Sequence, residues 1–103
     1  MTPTYLKDRD AVNEHLVESI CNDYEIDRSE YWSKTRHKEV VEVRFIVWYI
    51  LKQKFKYTLK FISMLYEKDH STVIHGINEV ENDKDLKIRA KQFIREHLTI
   101  QKV

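Results

Sequence analysis

Lys68-Asp69-His70-Ser71-Thr72-Val73-Ile74-His75-Gly76 is the stretch on which the fold turns. Asp69 is a good helix N-cap, and His70, Ser71 and Thr72 crowd the first turn after it with polar groups. Val73, Ile74, Ile77 and Val80 recur at helical spacing and form the expected inward face. The start of such a helix offers free backbone N–H groups and a positive dipole end to an anion. Just upstream, Thr58 can cap a short helix from Leu59 to about Tyr66, which buries Leu59, Ile62, Leu65 and either Phe61 or Tyr66. Glu67 and Lys68 make the turn between them. The pattern is a helix-turn-helix over residues 58–82, with the second helix as the recognition element. Gly76 stands inside that helix at a cost of about 1 kcal/mol relative to alanine. Close approach of another helix would explain it.

Working back from this unit, the most apolar run is Val40 to Leu51, inside a helix from about His37 to Lys54. Apolar residues cover more than half its circumference, so it should be the central helix around which the others pack. Lys52, Lys54 and Lys56 leave its C-terminal end basic, the sign the helix dipole favours. Ser33-Lys34-Thr35-Arg36-His37-Lys38 is a dense polar and basic entry to the same helix, where cations oppose the dipole. It is either a solvated helix start or a place where an outside anion such as phosphate binds. Further upstream, Val12, Leu16, Ile20 and Tyr24 stripe a helix from about Asp10 to Asp23. Ser29 is expected to cap a short turn that folds Tyr31 and Trp32 against the core. Downstream, Glu81 to Asp85 breaks the pattern, and a last helix from about Asp83 to His97 carries Leu86, Ile88, Ala90, Phe93, Ile94 and Leu98. Residues 1–8 and 99–103 are expected to be loose.

These elements predict an all-α fold. The 103 residues suffice for one compact helical domain, and one Gly and one Pro are too few for the turns of a β-rich fold. The single cysteine, Cys21, permits no disulfide within the chain, which suits a reducing cytoplasm; the bland reading of it is a small buried apolar residue. Met1 to Asp10 has no apolar leader core, and Val40 to Leu51 is about half a membrane span and holds Glu42 and Arg44, so no membrane role is expected. Net charge is only +1, but it is unevenly spread. Residues 1–33 hold three Lys or Arg against eight Asp or Glu, whereas residues 34–75 hold nine against four. The basic segment is the one that the helix-turn-helix closes.

Catalysis finds little support. The only glycine is Gly76, so no Gly-rich phosphate loop exists, and no cofactor is expected. His70 and His75 lie five apart, not at the i, i+4 spacing of a helical zinc pair, and no metal site is expected. Asp69 beside His70 has no nucleophile placed for it. Nucleic-acid binding fits better. Asp69 can accept from a cytosine amino group, and His70 can donate to a guanine or touch a thymine. Many helices begin with these residue types for capping alone.

The run Lys68 to Gly76 also resembles the signature of the C-terminal DNA-binding domain of the bacterial replication initiator DnaA. Ser33 to Lys38 followed by Val43-Arg44-Phe45-Ile46-Val47-Trp48-Tyr49-Ile50 is similar to that domain's basic entry and its Ala-Arg-Gln-Ile-Ala-Met-Tyr-Leu-type helix. Thr58-Leu59-Lys60-Phe61-Ile62-Ser63 stands where the family has Ser-Leu-x-x-Ile-Gly. The resemblance covers roughly Leu16 to Asn82. It implies a helix-turn-helix of the Trp-repressor and DnaA C-terminal type that binds double-stranded DNA at a short asymmetric site, the DnaA box. Position by position, it implies base contacts from Asp69, His70 and Ser71 in the major groove and from Arg36 in the adjacent minor groove. Lys34, Lys38, Arg44, Lys52, Lys60, Lys68, Thr72 and His75 fall at positions expected to face phosphates, as do the backbone N–H groups near Leu59 and Lys60.

Three departures accompany the resemblance. The turn before Asp69 is one residue shorter than usual and has no glycine, with Ser63 and Glu67 standing there. Phe45 replaces the family's Gln, and Glu39 and Glu42 dilute the basic entry. The AAA+ ATPase that normally precedes this domain in the family is not within these 103 residues, so the chain is expected to be either an excised domain or a small stand-alone protein, and the implied role is origin binding or regulation of DNA replication without ATPase activity, in the bacterial cytoplasm at the nucleoid. The alternative is a protein-interaction module of the same fold that binds a replication initiator or another protein, motivated by the acidic first helix and by Tyr5, Tyr31 or Trp32 as exposed aromatics. A monomer or weak dimer fits either.

Overall fold

A computed structural model describes residues 10–98; the expectations for residues 1–8, for Tyr5 and for residues 99–103 lie outside them. Six helices follow in order: α1 Ala11–Tyr24, α2 Arg28–Trp32, α3 Lys38–Gln53, α4 Leu59–Tyr66, α5 His70–Asn82 and α6 Lys84–His97. The described residues form no strand. None of these helices is long and apolar enough to cross a membrane.

The apolar pattern of α3 makes it the hub, and it packs against every other helix. Val40, Val43, Ile46, Val47, Trp48, Ile50 and Leu51 are all buried along it. Leu16, Val17 and Ile20 of α1, Ile62 and Leu65 of α4, Val73 and Val80 of α5, and Ala90 and Phe93 of α6 close around it. Gly76 marks where α5 comes closest to α3. A Cβ there would lie 2.6 Å from Phe45 Cδ1 and 2.7 Å from Trp48 Cε3. The close approach expected from the sequence is therefore present, and the glycine is needed for space, not for backbone freedom.

The helix ends follow local chemistry. Asp10 Oδ1 accepts from Asn13 N at 2.8 Å, Thr58 Oγ1 from Phe61 N at 3.1 Å, and Asp83 Oδ1 from Asp85 N at 2.9 Å. Ser29, expected to cap α2, lies inside it, and Asp27 takes the capping position. Ser29 is two residues too late, because the Asp27 carbonyl already accepts from Glu30 and Tyr31. The turn between α4 and α5 closes as a Schellman motif without glycine. Lys68 N donates to Ser63 O at 3.0 Å and Glu67 N to Met64 O at 3.3 Å, with Glu67 left-handed at φ 53°. Glu25 ends α1 in the same way at φ 55°. A side chain in that region costs about 1–2 kcal/mol. Glu67→Gly should therefore stabilise the chain by about 1 kcal/mol, less than the full relief because glycine gains unfolded-state entropy. Urea unfolding checks this; a lower midpoint for the variant would contradict the turn geometry.

Tyr31 and Tyr66 form an unexpected polar centre. Tyr31 is wholly buried and Trp32 is half-buried against Tyr66 at 4.9 Å between ring centroids, so the turn folds against the core as expected, and Tyr31 is not the exposed aromatic that the protein-interaction alternative invokes. Their depth follows from packing against Tyr66 of α4, Tyr31 edge-on and Trp32 tilted at 30°. The two tyrosine hydroxyls meet at 2.6 Å. Burial raises the pKa of both well above the ordinary tyrosine value, and burial together with Asp10 pushes Tyr57 up to about 12. In the unfolded chain the same phenols ionise near about 10. Above that pH the unfolded state holds fewer protons than the folded one, so stability is full below about pH 10 and falls as pH rises through 10 to 12. Denaturant midpoints measured from pH 8 to 12, with phenolate absorbance, should show this loss. Native-state titration of all tyrosines near 10 would contradict it.

Candidate nucleic-acid interface

The first turn of α5 is open. Asp69 is extended at φ −71°, ψ 156°, and its carbonyl accepts from Thr72 N at 3.1 Å and Val73 N at 3.2 Å. Its side chain makes no capping bond, unlike those of Asp10, Thr58 and Asp83. The residue occupies the cap position as expected, yet its carboxylate is not spent on the helix. Asp69, His70, Ser71 and Thr72 are all exposed. The N–H groups of His70 and Ser71 have no intrahelical carbonyl to donate to. His75 is exposed one turn on, its ring edge-on to Phe45 at 5.8 Å. Ile74, expected to face inward, is 40% exposed. The roughly 100° turn per residue carries it off the stripe of Val73, Ile77 and Val80.

The segment between α2 and α3 is fixed from below by Arg44. Its Nε donates to Tyr31 O at 2.9 Å, Nη2 to Ser33 O at 2.8 Å and Nη1 to Thr35 O at 3.3 Å. Partial burial lowers its pKa from the ordinary guanidinium value. Three carbonyls, those of Tyr31, Ser33 and Thr35, thus converge on this guanidinium, which gives Arg44 a structural role in holding the basic entry. Side chains within the segment add bonds: Ser33 Oγ donates to Glu30 O at 2.7 Å, and Thr35 Oγ1 accepts from His37 N at 3.2 Å. Lys34 and Arg36 are left exposed on a segment that is itself held.

Two hollows relate this segment to the helix-turn-helix. Lys34 and Lys68 line one of about 270 Å³, with Tyr31, Trp32 and Tyr66 beneath them. Arg36 and Lys38 border another of about 470 Å³, over Val41, Phe45 and Leu86 and facing Glu42, Glu79 and Asp83. Lys38 reaches Glu42 at 3.7 Å, an exposed pair of little energetic weight. Lys34, Arg36, Lys52, Lys60 and Lys68 make no ion pair among the described residues. Elsewhere Arg28 pairs with Glu14, Lys87 with Glu81 at 2.9 Å and Arg89 with Asp85 at 3.2 Å, while Lys54, Lys56, Lys84 and Lys91 make no ion pair among the described residues. Lys52, half-buried at the end of α3, and Lys60, exposed on α4, line neither hollow. The N–H groups of Leu59 and Lys60 open the first turn of α4, where Thr58 caps only Phe61.

The sequence did not disclose the bracing role of Arg44 or the meeting of Tyr31 and Tyr66. Neither has a periodic signal, since each depends on partners that only the tertiary fold brings near. Among the described residues one group, Asp23, Glu96 and His97, brings possible metal-ligand atoms within 4.8 Å of one another, and His97 Nε2 already pairs with Asp23 Oδ2 at 3.0 Å.

Comparison with known proteins gives a consistent result. The family described as the bacterial DnaA protein helix-turn-helix matches residues 13–80. The chromosomal replication initiator protein DnaA of Mycoplasma pneumoniae is 31% identical over 65 residues, covering 63% of this chain and 15% of that protein. That of Mycoplasma genitalium is 29% identical over 76 residues, covering 70% of this chain and 17% of its own length. That of Aquifex aeolicus is 32% identical over 80 residues, covering 77% and 20%. The chain therefore spans only 15–20% of the length of these curated relatives.

Proposed function

The chain belongs to the bacterial DnaA helix-turn-helix family, and from that membership we propose that it binds double-stranded DNA sequence-specifically, at a DnaA-box-like site, in replication initiation or its regulation. It supplies binding alone, with no ATPase or other catalytic step. The observation that carries this is the unspent charge around the start of α5. Lys34 and Lys68 stay unpaired beside an N-terminal turn whose Asp69 carboxylate and leading N–H groups are also free, and Arg36, two residues after Lys34, makes no ion pair among the described residues either.

Laid into the major groove, the first turn of α5 would present Asp69, His70 and Ser71 to base edges. Asp69 would accept from a cytosine amino group, and His70 would donate to guanine. Arg36, on the segment that Arg44 braces, would enter the neighbouring minor groove, where a narrow groove concentrates negative potential. Lys34, Lys38, Lys52, Lys60, Lys68, Thr72 and His75 would meet phosphates, joined by the N–H groups of Leu59 and Lys60 at a helix start. Arg44 would act through the segment it holds. Phosphate contacts release counterions, so affinity should fall linearly on a log–log plot against salt. Anisotropy titrations of a labelled duplex at several salt concentrations test this. A flat salt response, or no retention on DNA-cellulose at low salt, would instead favour a protein-interaction module.

A further inference from the structure

Both ends of α4, the helix that aims α5, are held by one turn of α1. At the entry, the Tyr57 hydroxyl donates to Asp10 Oδ1 and Oδ2, at 2.9 Å each. At the exit, the Tyr66 hydroxyl donates to Asn13 Oδ1 at 2.9 Å. Asp10 and Asn13 are themselves tied by the N-cap bond at 2.8 Å, and Asn13 is fully buried. With its own proton spent on Asn13, Tyr66 accepts from the Tyr31 hydroxyl at 2.6 Å. Tyr31 is also the residue whose carbonyl Arg44 grips, and it precedes Lys34 by three positions. Tyr66 precedes Asp69 by three. Tyr31 and Tyr66, each three residues ahead of a proposed reading residue, therefore meet in a buried hydrogen bond.

We infer that Asp10, Asn13, Tyr31, Tyr57 and Tyr66 form a positioning clamp that sets the separation and angle between the basic segment 33–37 and the start of α5. This inference rests on the DNA-binding reading for its functional consequence. None of the five residues touches DNA in that reading. Two elements that read adjacent grooves gain sequence discrimination only when their spacing is fixed; charge alone suffices for binding to any duplex. The turn between α4 and α5 lacks glycine, is closed by a left-handed Glu67 and its Schellman bonds, and joins two helices that pack on each other, so holding α4 constrains the start of α5.

The test uses Tyr31→Phe, which removes one hydroxyl and leaves Tyr66 bonded to Asn13, and Tyr57→Phe, which releases the other end of α4. Two readouts are taken well below each variant's unfolding temperature. The first is the ratio of Kd for random duplex to Kd for the preferred duplex. The second is the distance distribution between nitroxide labels at positions 34 and 68 of the free protein, in a Cys21→Ser background. Each variant should lower the ratio by about tenfold while random-duplex binding and its salt slope change little. Tyr31→Phe should also broaden the 34–68 distance. A lowered unfolding temperature with unchanged ratio and distance would overturn the clamp, leaving only a structural role. A wild type with no duplex preference would instead sink the DNA-binding reading, and the distance readout would still decide whether the clamp positions the two elements.

Discussion

Arg36→Ala and His70→Ala are each expected to weaken binding to the preferred duplex by about 1–3 kcal/mol, roughly 5- to 150-fold in Kd. The two should differ in what they spare. His70 is exposed on the open turn of α5, so its loss should relax discrimination at one base pair and leave random-duplex binding nearly unchanged. Arg36 carries a full charge and makes no ion pair among the described residues, so its loss should also flatten the salt slope by about one counterion. Neither side chain contributes to the core, and unfolding midpoints should stay within about 0.5 kcal/mol of wild type. Arg44→Ala should look different. Removing the guanidinium frees three carbonyls, at Tyr31, Ser33 and Thr35, so it should weaken binding and lower stability together. Unchanged binding in both Arg36→Ala and His70→Ala would remove the proposed base contacts.

Gly76→Ala should be the most damaging single-methyl change in the chain. Alanine ordinarily gains about 1 kcal/mol over glycine inside a helix. Here the added carbon would lie 2.6 Å from Phe45 Cδ1 and 2.7 and 2.8 Å from Trp48 Cε3 and Cζ3, inside normal contact distance. Trp48 is 2% exposed and cannot swing away. α5 must lift from α3, at an overpacking cost of about 1–3 kcal/mol. Because α5 is the proposed reading helix, the lift should also weaken duplex binding at temperatures where the variant stays folded. Phe45→Leu in the Gly76→Ala background should recover part of the loss by making room. A Gly76→Ala protein as stable as wild type would mean that α3 and α5 are further apart than described.

The same glycine shows what a sequence can disclose. Its position inside an amphipathic helix pointed to a close helix contact, and the contact is with Phe45 and Trp48. Helix positions were legible because apolar spacing in α1, α3, α4, α5 and α6 is strong and caps such as Asp10, Thr58 and Asp83 are local. The family signature from Lys68 to Gly76 was legible for the same reason: recognition by a helix start is encoded in consecutive residues. Long-range roles were not. Arg44 looks like any basic residue on a helix, and only the folded path of residues 31–35 brings three carbonyls onto its guanidinium N–H groups. That Tyr31 packs inward was legible, but its hydroxyl partner was not, because a five-residue helix has too little periodicity to show which neighbour it meets. Ile74 illustrates a finer limit. One apolar residue next to a stripe belongs to it or not according to a rotation of about 100°, and here it faces out. Asp69 holds the cap position while its carboxylate stays free, a distinction that sequence pattern cannot make.

We propose that segment 33–37 and the start of α5 together read a short duplex. Selection of bound duplexes from a random pool tests it most directly. A single short, asymmetric, DnaA-box-like motif should be enriched over successive rounds, and its enrichment should be lost when Arg36 and His70 are both replaced by alanine. A pool that stays random after selection at low salt would contradict the claim.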